Sequence, residues 1–188
     1  TVDELREFPD GITDFYDEQF ERLLSEDDIS SGSAKWRIIE AVITACEPLH
    51  IDNLDALVGC TTIERKQAVA KLSLLFPIRG RRLHVFHKSV KDWLVDAQRE
   101  DEMCYVDVDK VHATMGRKCQ ELWRTMEYGL KHVVTHLCAG GLSKQARDLM
   151  FVFEWLLKRA KLGPPHALVQ DGNRVGREHK DRAFELLH

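Results

Sequence analysis

The sequence lacks the features that mark several large classes of protein. No apolar run approaches the ~20 residues that a membrane-spanning helix requires, and the N-terminus has neither the basic nor the apolar region of a signal peptide. The five cysteines are odd in number and none stands in a Cys-x-x-Cys pair, which favours a reducing compartment over secretion. We expect a cytoplasmic protein and, because the sequence begins at Thr1 without Met, a fragment of a longer polypeptide.

Motifs for catalysis are also missing. The sequence contains neither the P-loop pattern Gly-x-x-x-x-Gly-Lys-[Ser/Thr] nor the nucleophile elbow Gly-x-Ser-x-Gly. Carboxylate pairs such as Glu26 and Asp27 stand in solvated, highly charged runs. We therefore expect no enzymatic activity and no cofactor in this chain alone, and only weak nucleotide binding or none.

A metal site is poorly supported. His132 and His136 are four residues apart and share a helical face, with Cys138 close by. A structural zinc site needs four ligands, and only three are suggested here. We expect histidines that pack or face solvent, and no metal.

What the sequence does contain is mostly helical periodicity. Charged residues make up 31% and hydrophobic residues 44%, as is usual for a globular protein. The predicted class is mainly α, with a lead-in helix and acidic loop over 1–33, a winged-helix domain over 34–103 and a helical domain over 104–163. Residues 164–188 are predicted as a linker and the start of a helix that the fragment truncates.

The region 34–103 has the order of elements that defines a winged helix, which is three helices followed by a β-hairpin. A first helix over 36–46 is stopped by Pro48, and a second over 51–58 ends at Gly59. Thr61 or Thr62 would cap a third, whose predicted inward side chains are Ile63, Val69, Leu72, Leu75 and Phe76. Gly80 can take the positive φ that opens the hairpin. Cys46 and Cys119 lie in apolar runs and are predicted to be buried thiols.

His87 occupies the most informative position in the chain. Leu83, Val85 and His87 alternate as in a strand, and a helix is predicted from Ser89, which suits the N-cap. A histidine at such a junction can meet an anion together with the N–H groups of the helix. Without further support it would be a strand-end histidine bonded to a carbonyl.

The helical domain is predicted to contain three helices, over 110–126, 128–138 and 144–162, the last capped by Ser143. Phe153 and Leu157 belong to a broad apolar face of the last helix. The region of Phe151, Phe153 and Trp155 is most simply core, although an exposed remainder could serve for self-association.

Several motifs together resemble one family, the signal-transducing (STAND) NTPases of the NACHT and NB-ARC kind that carry WD40 or ankyrin repeats. The resemblance covers residues 8–162, which correspond to the region after the ATPase domain. It is carried by Phe8-Pro9-Asp10-Gly11-Ile12 with Tyr16 and Phe20, by Glu47-Pro48-Leu49, by Leu74-Leu75-Phe76-Pro77-Ile78, and by Phe86-His87-Lys88-Ser89 with Asp92-Trp93-Leu94.

The resemblance implies a role for His87. In the family, a Met-His-Asp or Leu-His-Asp motif at this junction sets a histidine against the β-phosphate of ADP. His87 would make that contact in the full-length parent, although Lys88 replaces the usual Asp. The resemblance further implies a regulatory function, in which the winged helix closes on the parent's own nucleotide domain and transmits the ADP/ATP state to C-terminal repeats.

A second interpretation belongs to a different class. A winged-helix transcriptional regulator would place its third helix in DNA and use the helical domain to dimerise. The cations available for phosphate contacts are Arg65, Lys71, Arg79, Arg81 and Arg82. The net charge of −4 argues against nucleic acid as a partner.

Overall fold

The computed structural model describes residues 10–30, 32–100, 102–164 and 166–185. The chain divides into two compact units, residues 1–107 and 108–188. The described residues are mostly helical and include one small sheet of three strands, which confirms the mainly α class. Phe8 and Pro9, which the sequence analysis used as part of a family motif, lie outside the described residues.

The first unit contains both the helices and the strands of the predicted hairpin region. Its elements are α1 (Asp10–Leu23), α2 (Glu26–Ser30), α3 (Ala34–Thr44), β1 (Leu49–His50), α4 (Leu54–Val58), α5 (Thr62–Leu72), β2 (Ile78–Arg79), β3 (Arg82–Leu83) and α6 (Lys88–Leu94). Short 3-10 turns occupy Ile51–Asn53 and Ala97–Arg99.

The acidic loop predicted before α3 contains a helix. Ser25 and Asp28 bond reciprocally, because the Ser25 backbone N–H donates to the Asp28 carboxylate at 3.0 Å and the Asp28 N–H donates to Ser25 Oγ at 3.2 Å. Lys35 pairs with the same carboxylate. Although burial raises the pKa of Asp28, the hydrogen bonds from Lys35 and Ser25 hold it well below its usual value. Local hydrogen bonding, not apolar periodicity, therefore makes α2.

The core of this unit is built on α3, which Ser33 caps and which buries Ile38, Ile39 and Ile43 completely. Two burial predictions were wrong. Cys46 is exposed because α3 ends at Thr44, before the cysteine. Ile63 is 69% exposed because it lies opposite the side of α5 that buries Ala68, Val69 and Leu72.

The sheet has the strand order β1-β3-β2, and both pairings are antiparallel. Leu83 at its centre faces Leu49 on one side and Ile78 on the other. Gly80 (φ 55°) and Arg81 (φ 60°) form the turn of the β2–β3 hairpin, so the predicted turn at Gly80 is confirmed. The strand predicted to reach His87 ends at Leu83. The N–H groups of His84 and Phe86 still donate to the carbonyls of Pro77 and Leu75, but Pro77 has no N–H to donate in return, so the regular ladder stops there.

The second unit contains only helices among its described residues: α7 (Val108–Leu122), α8 (Glu127–Ala139), α9 (Ser143–Met150), α10 (Phe153–Leu162) and α11 (His166–Glu185). The helix predicted over 144–162 is interrupted between α9 and α10. Phe151 and Phe153 flank the interruption and are 82% and 76% exposed, so they are not core, whereas Trp155 is fully buried. Ser143 is the first helical residue rather than the cap.

The region 164–188, predicted as a linker and the start of a helix, is helical from His166, where α11 begins, so residues 166–176 are helix and not linker. Asp171 of this helix is fully buried and accepts a hydrogen bond from Arg159 Nε of α10 at 3.0 Å. Burial raises the pKa of Asp171, and the Arg159 guanidinium opposes that rise. The polar composition of residues 166–176 was misleading, because their single acid, Asp171, is buried and paired with Arg159.

Glycines permit the close approach of α7 and α8. A Cβ on Gly140 would lie 2.2 Å from the backbone nitrogen of Ala113, and one on Gly116 would lie 2.9 Å from a methyl group of Leu137. Within the described residues, no helix combines the length and apolarity needed to cross a membrane.

Candidate functional site

His87 lies at the entrance to α6, and its imidazole is the N-cap of that helix. Nδ1 of His87 accepts the Ser89 backbone N–H at 3.2 Å and lies 2.7 Å from Ser89 Oγ. The predicted N-cap at Ser89 was therefore wrong by two residues, because the histidine ring itself replaces the usual hydroxyl or carboxylate cap.

This cap fixes the tautomer of the ring. A backbone N–H can only donate, so Nδ1 must act as the acceptor and the proton of the neutral ring must sit on Nε2. His87 is exposed. The ring therefore offers an Nε2–H donor while its other nitrogen is held by the protein.

The amides of α6 are not available in the way the sequence suggested. The Ser89 N–H is used by His87 Nδ1, and the Val90 N–H donates to the carbonyl of His87 at 3.1 Å. We expected the His87 ring and the N–H groups of the helix to bind one anion together. The Ser89 and Val90 N–H groups are already used, so the donor that His87 offers is its Nε2–H.

A residue of α1 supports this arrangement. The hydroxyl of Tyr16 lies 2.6 Å from Ser89 Oγ, so a chain of hydrogen bonds joins Tyr16, Ser89 and His87. Tyr16 was noted in the sequence as part of a family motif, but its contact with Ser89 could not be read from it. α1 also packs against α6, where the rings of Phe20 and Trp93 stack at 5.0 Å.

Lys88 stands beside His87 at the place where the resembled family has an acid. Its ammonium group pairs with Asp92 at 3.3 Å, one helical turn on, and the lysine is largely exposed. Lys88 is a cation and cannot make the contacts that a carboxylate would make at this position. It stabilises its own helix instead, through the pair with Asp92.

The cations of the alternative site do not form one positive surface. Arg81 makes a two-pronged contact with Asp52 at 2.8 and 2.6 Å, and Arg65 pairs with Asp55 at 2.6 Å. Arg82 lies 3.7 Å from Glu47 and donates to the carbonyl of Pro48. Arg79 and Lys71 are exposed. Three of the five predicted phosphate contacts are thus already neutralised by acids.

The histidines of the helical unit form a buried polar cluster. His136 is fully buried, with Nδ1 2.8 Å from Nδ1 of His112 and Nε2 2.8 Å from the hydroxyl of Tyr128. Burial, then the nearby His112 and His132, lower the pKa of His136 to about 3. No group of three or more potential metal ligands was found among the described residues. The rings of His132 and Tyr128 lie 4.7 Å apart, as in packed aromatic pairs.

No protein-family model matches the chain, and neither a curated protein nor a solved structure is significantly similar to it.

Proposed function

We propose that this chain is the regulatory part of a nucleotide-switched signalling NTPase. In this proposal residues 34–103 act as a winged helix that closes on a P-loop nucleotide domain when ADP is bound. The observation that carries the proposal is the state of His87, an exposed ring whose Nδ1 is held by Ser89 and whose Nε2–H is a donor.

The chemistry of that donor suits a phosphate oxygen. A hydrogen bond from Nε2–H to a charged phosphate oxygen is stronger than a bond between neutral groups. The Tyr16–Ser89 contact holds the ring in one orientation, so less conformational entropy is lost when the anion binds. ADP or ATP would be bound by the P-loop domain, and His87 would add one contact to the β-phosphate.

Two further observations support the proposal. The residues of the family motifs lie far apart in the sequence, yet Tyr16 and Phe20 pack against the segment of Ser89 and Trp93. Three helices, α3, α4 and α5, precede the β2–β3 hairpin. The helical unit over 108–188 would then pass the movement to a C-terminal sensor region, as a two-state element biased by its ligand.

The test is His87→Ala in the polypeptide that joins the P-loop domain to this chain. We expect ADP to be released faster by about tenfold or more, the loss of one charge-assisted hydrogen bond. The measurement is bound nucleotide after gel filtration, together with assembly size by light scattering. ADP retention and assembly unchanged from the wild type would refute the proposal.

Two companion variants make the result specific. His84→Ala removes a neighbouring histidine that makes no contact with Ser89 and should leave ADP retention unchanged. Ser89→Ala removes the hydroxyl between Tyr16 and His87 and should give a smaller effect than His87→Ala. If all three variants behaved alike, the loss would reflect general destabilisation and not the phosphate contact.

No observation favours the DNA-binding alternative over this proposal. It requires Arg65, Arg81 and Arg82 to face phosphates, and each already pairs with an acid of the same unit.

A further inference from the structure

The outward side of α5 carries apolar side chains that the chain does not bury. Ile63 and Leu74 are 69% and 64% exposed. With Gln67 and Ala70, which are also exposed, they follow the spacing i, i+4, i+7, i+11 and so lie along one side of the helix and its final turn. We call these four residues the α5 stripe.

A further exposed apolar side chain, that of Phe86, lies in the region where α5 ends. The Phe86 N–H donates to the carbonyl of Leu75 at 2.9 Å, which places Phe86 beside the residue that follows Leu74. Phe86 is 63% exposed. Three large apolar residues thus lie at the surface of one region, whereas a single exposed leucine would need no explanation.

Positive charge borders the stripe. Lys66 lies on one side of it and Lys71 on the other, and Arg79 follows in β2. Among the described residues none of these three cations forms an ion pair, in contrast to Arg65, Arg81 and Arg82. Glu64, an acid of the same helix, is engaged by Thr61 in the capping box. A chain of net charge −4 therefore presents an apolar stripe with a basic border.

The stripe is held on a fixed helix. The Thr61–Glu64 capping box satisfies the first turn of α5, and the hydroxyl of Thr62 donates to Asp55 at 2.8 Å. Ala68, Val69 and Leu72 anchor the opposite side in the core. Such a surface loses little conformational entropy when a partner binds.

We propose that the α5 stripe is a docking surface for an acidic amphipathic helix of a partner protein. The partner's apolar side chains would pack on Ile63 and Leu74, and its carboxylates would face Lys66 and Lys71. Leu74 stands eleven positions after Ile63, which corresponds to a rise of about 16 Å along a helix. This length matches three turns of a partner helix. A nucleic acid is a poorer occupant, because its phosphates would meet isoleucine and leucine. Docking at this surface does not require the proposed phosphate contact of His87.

The test uses a synthetic fluorescein-labelled peptide that forms a helix with leucines at i, i+3, i+4 and i+7 and glutamates on both borders. Titration with the whole chain is followed by fluorescence anisotropy. We expect saturable binding that weakens at least about tenfold in the double variant Ile63→Ser/Leu74→Ser. Lys66→Glu/Lys71→Glu should weaken binding to a similar extent, and a peptide with lysines in place of the glutamates should not bind.

A matched control comes from the other unit. Phe151→Ser/Phe153→Ser also removes two exposed apolar side chains and should leave binding unchanged. Because all the substituted residues are exposed, circular dichroism should show every variant folded.

The proposal would be overturned if the glutamate peptide showed no saturable binding or if the lysine peptide bound equally well. It would also be overturned if Phe151→Ser/Phe153→Ser weakened peptide binding as much as Ile63→Ser/Leu74→Ser, or if duplex DNA displaced the peptide from the stripe. Concentration-dependent self-association that disappears in Ile63→Ser/Leu74→Ser would likewise overturn it, by assigning the stripe to a second copy of the chain.

Discussion

At the scale of single residues, the protonation of His136 affects the stability of the helical unit. The ring is enclosed, and its two nitrogens lie at hydrogen-bonding distance from His112 and Tyr128. Burial penalises a charged imidazole at this position, and the neighbouring His112 and His132 add to that penalty. The folded state therefore favours the neutral form, in keeping with a pKa lowered to about 3.

Acid should destabilise this unit before carboxyl groups titrate. The folded pKa lies below that of the unfolded state, so the unfolded chain takes up the proton first as the pH falls through about 6.5. The contribution of neutral His136 to the free energy of unfolding is fully present above that pH and is lost progressively as the pH falls towards 3. At pH 5 the loss in the free energy of unfolding should be about 2 kcal/mol relative to neutral pH. Urea unfolding at both pH values measures it.

His136→Gln provides the comparison. A glutamine keeps a donor and an acceptor but takes up no proton in this range. The free energy of unfolding is measured against pH for both proteins. The difference between the two slopes gives the contribution of His136, because the other titrating groups are the same in both. Identical pH dependence in the two proteins would show that His136 is not the group responsible.

At the scale of elements, the α7/α8 pair depends on glycine. A methyl group at Gly140 would lie 2.2 Å from the nitrogen and 2.4 Å from the Cα of Ala113, and backbone atoms cannot yield as a side chain can. We expect Gly140→Ala to lower the free energy of unfolding by about 1–3 kcal/mol or more, because the helices must separate.

Gly176→Ala is the matched control for that experiment. It is a glycine of the same unit that lies within helix α11, and a Cβ there would meet nothing within 4 Å. This substitution should raise stability by about 0.5–1 kcal/mol through helix propensity. Thermal and urea unfolding measure the change in the free energy of unfolding for Gly140→Ala and Gly176→Ala. Equal changes in the two variants would contradict the packing argument.

Elements with a local signal were predictable from the sequence. α3, α5, α7 and α8 have apolar periodicity and end near Pro, Gly or capping residues, and Gly80 marks its turn. β1 had no such signal, since two residues are too few for an alternating pattern and its partner Leu83 lies far along the chain. Phe151 and Phe153 look like core in a helical window, and only the interruption between α9 and α10 exposes them.

The position of the candidate site could be proposed from the sequence, but its geometry could not. The change from strand to helix singled out His87. The orientation of His87 depends on Ser89 and, through it, on Tyr16, which lies 73 positions before Ser89 in the sequence. It also depends on an imidazole acting as an N-cap, which residue preferences do not indicate. The pairing of the hairpin arginines with Asp52 and Glu47 likewise arises only in the folded unit.

At the scale of the whole molecule, charge decides how the chain meets nucleic acid. The net charge is −4, and Arg81 and Arg82 of the hairpin are engaged by acids. We expect no binding to random-sequence duplex DNA at moderate salt, measured by fluorescence anisotropy. Asp52→Asn releases Arg81 and should add weak binding that decreases as the salt concentration rises.

Asp92→Asn changes the net charge equally but acts on Lys88, away from the hairpin. It should leave DNA binding as in the wild type. Micromolar binding by the wild type with a steep salt dependence would instead favour the transcriptional regulator.

The contact between α1 and α6 gives the molecule an optical reporter. Trp93 is almost fully buried, with Phe20 stacked on it, Tyr16 tilted against it and the Arg99 guanidinium 4.0 Å from its ring centre. Tyr16 also reaches Ser89, which holds His87. Trp93 is one of four tryptophans in the chain, and its indole emission is sensitive to the same helix that orients the candidate phosphate contact. Detachment of α1 would therefore shift the contribution of Trp93 to the emission spectrum without any added label.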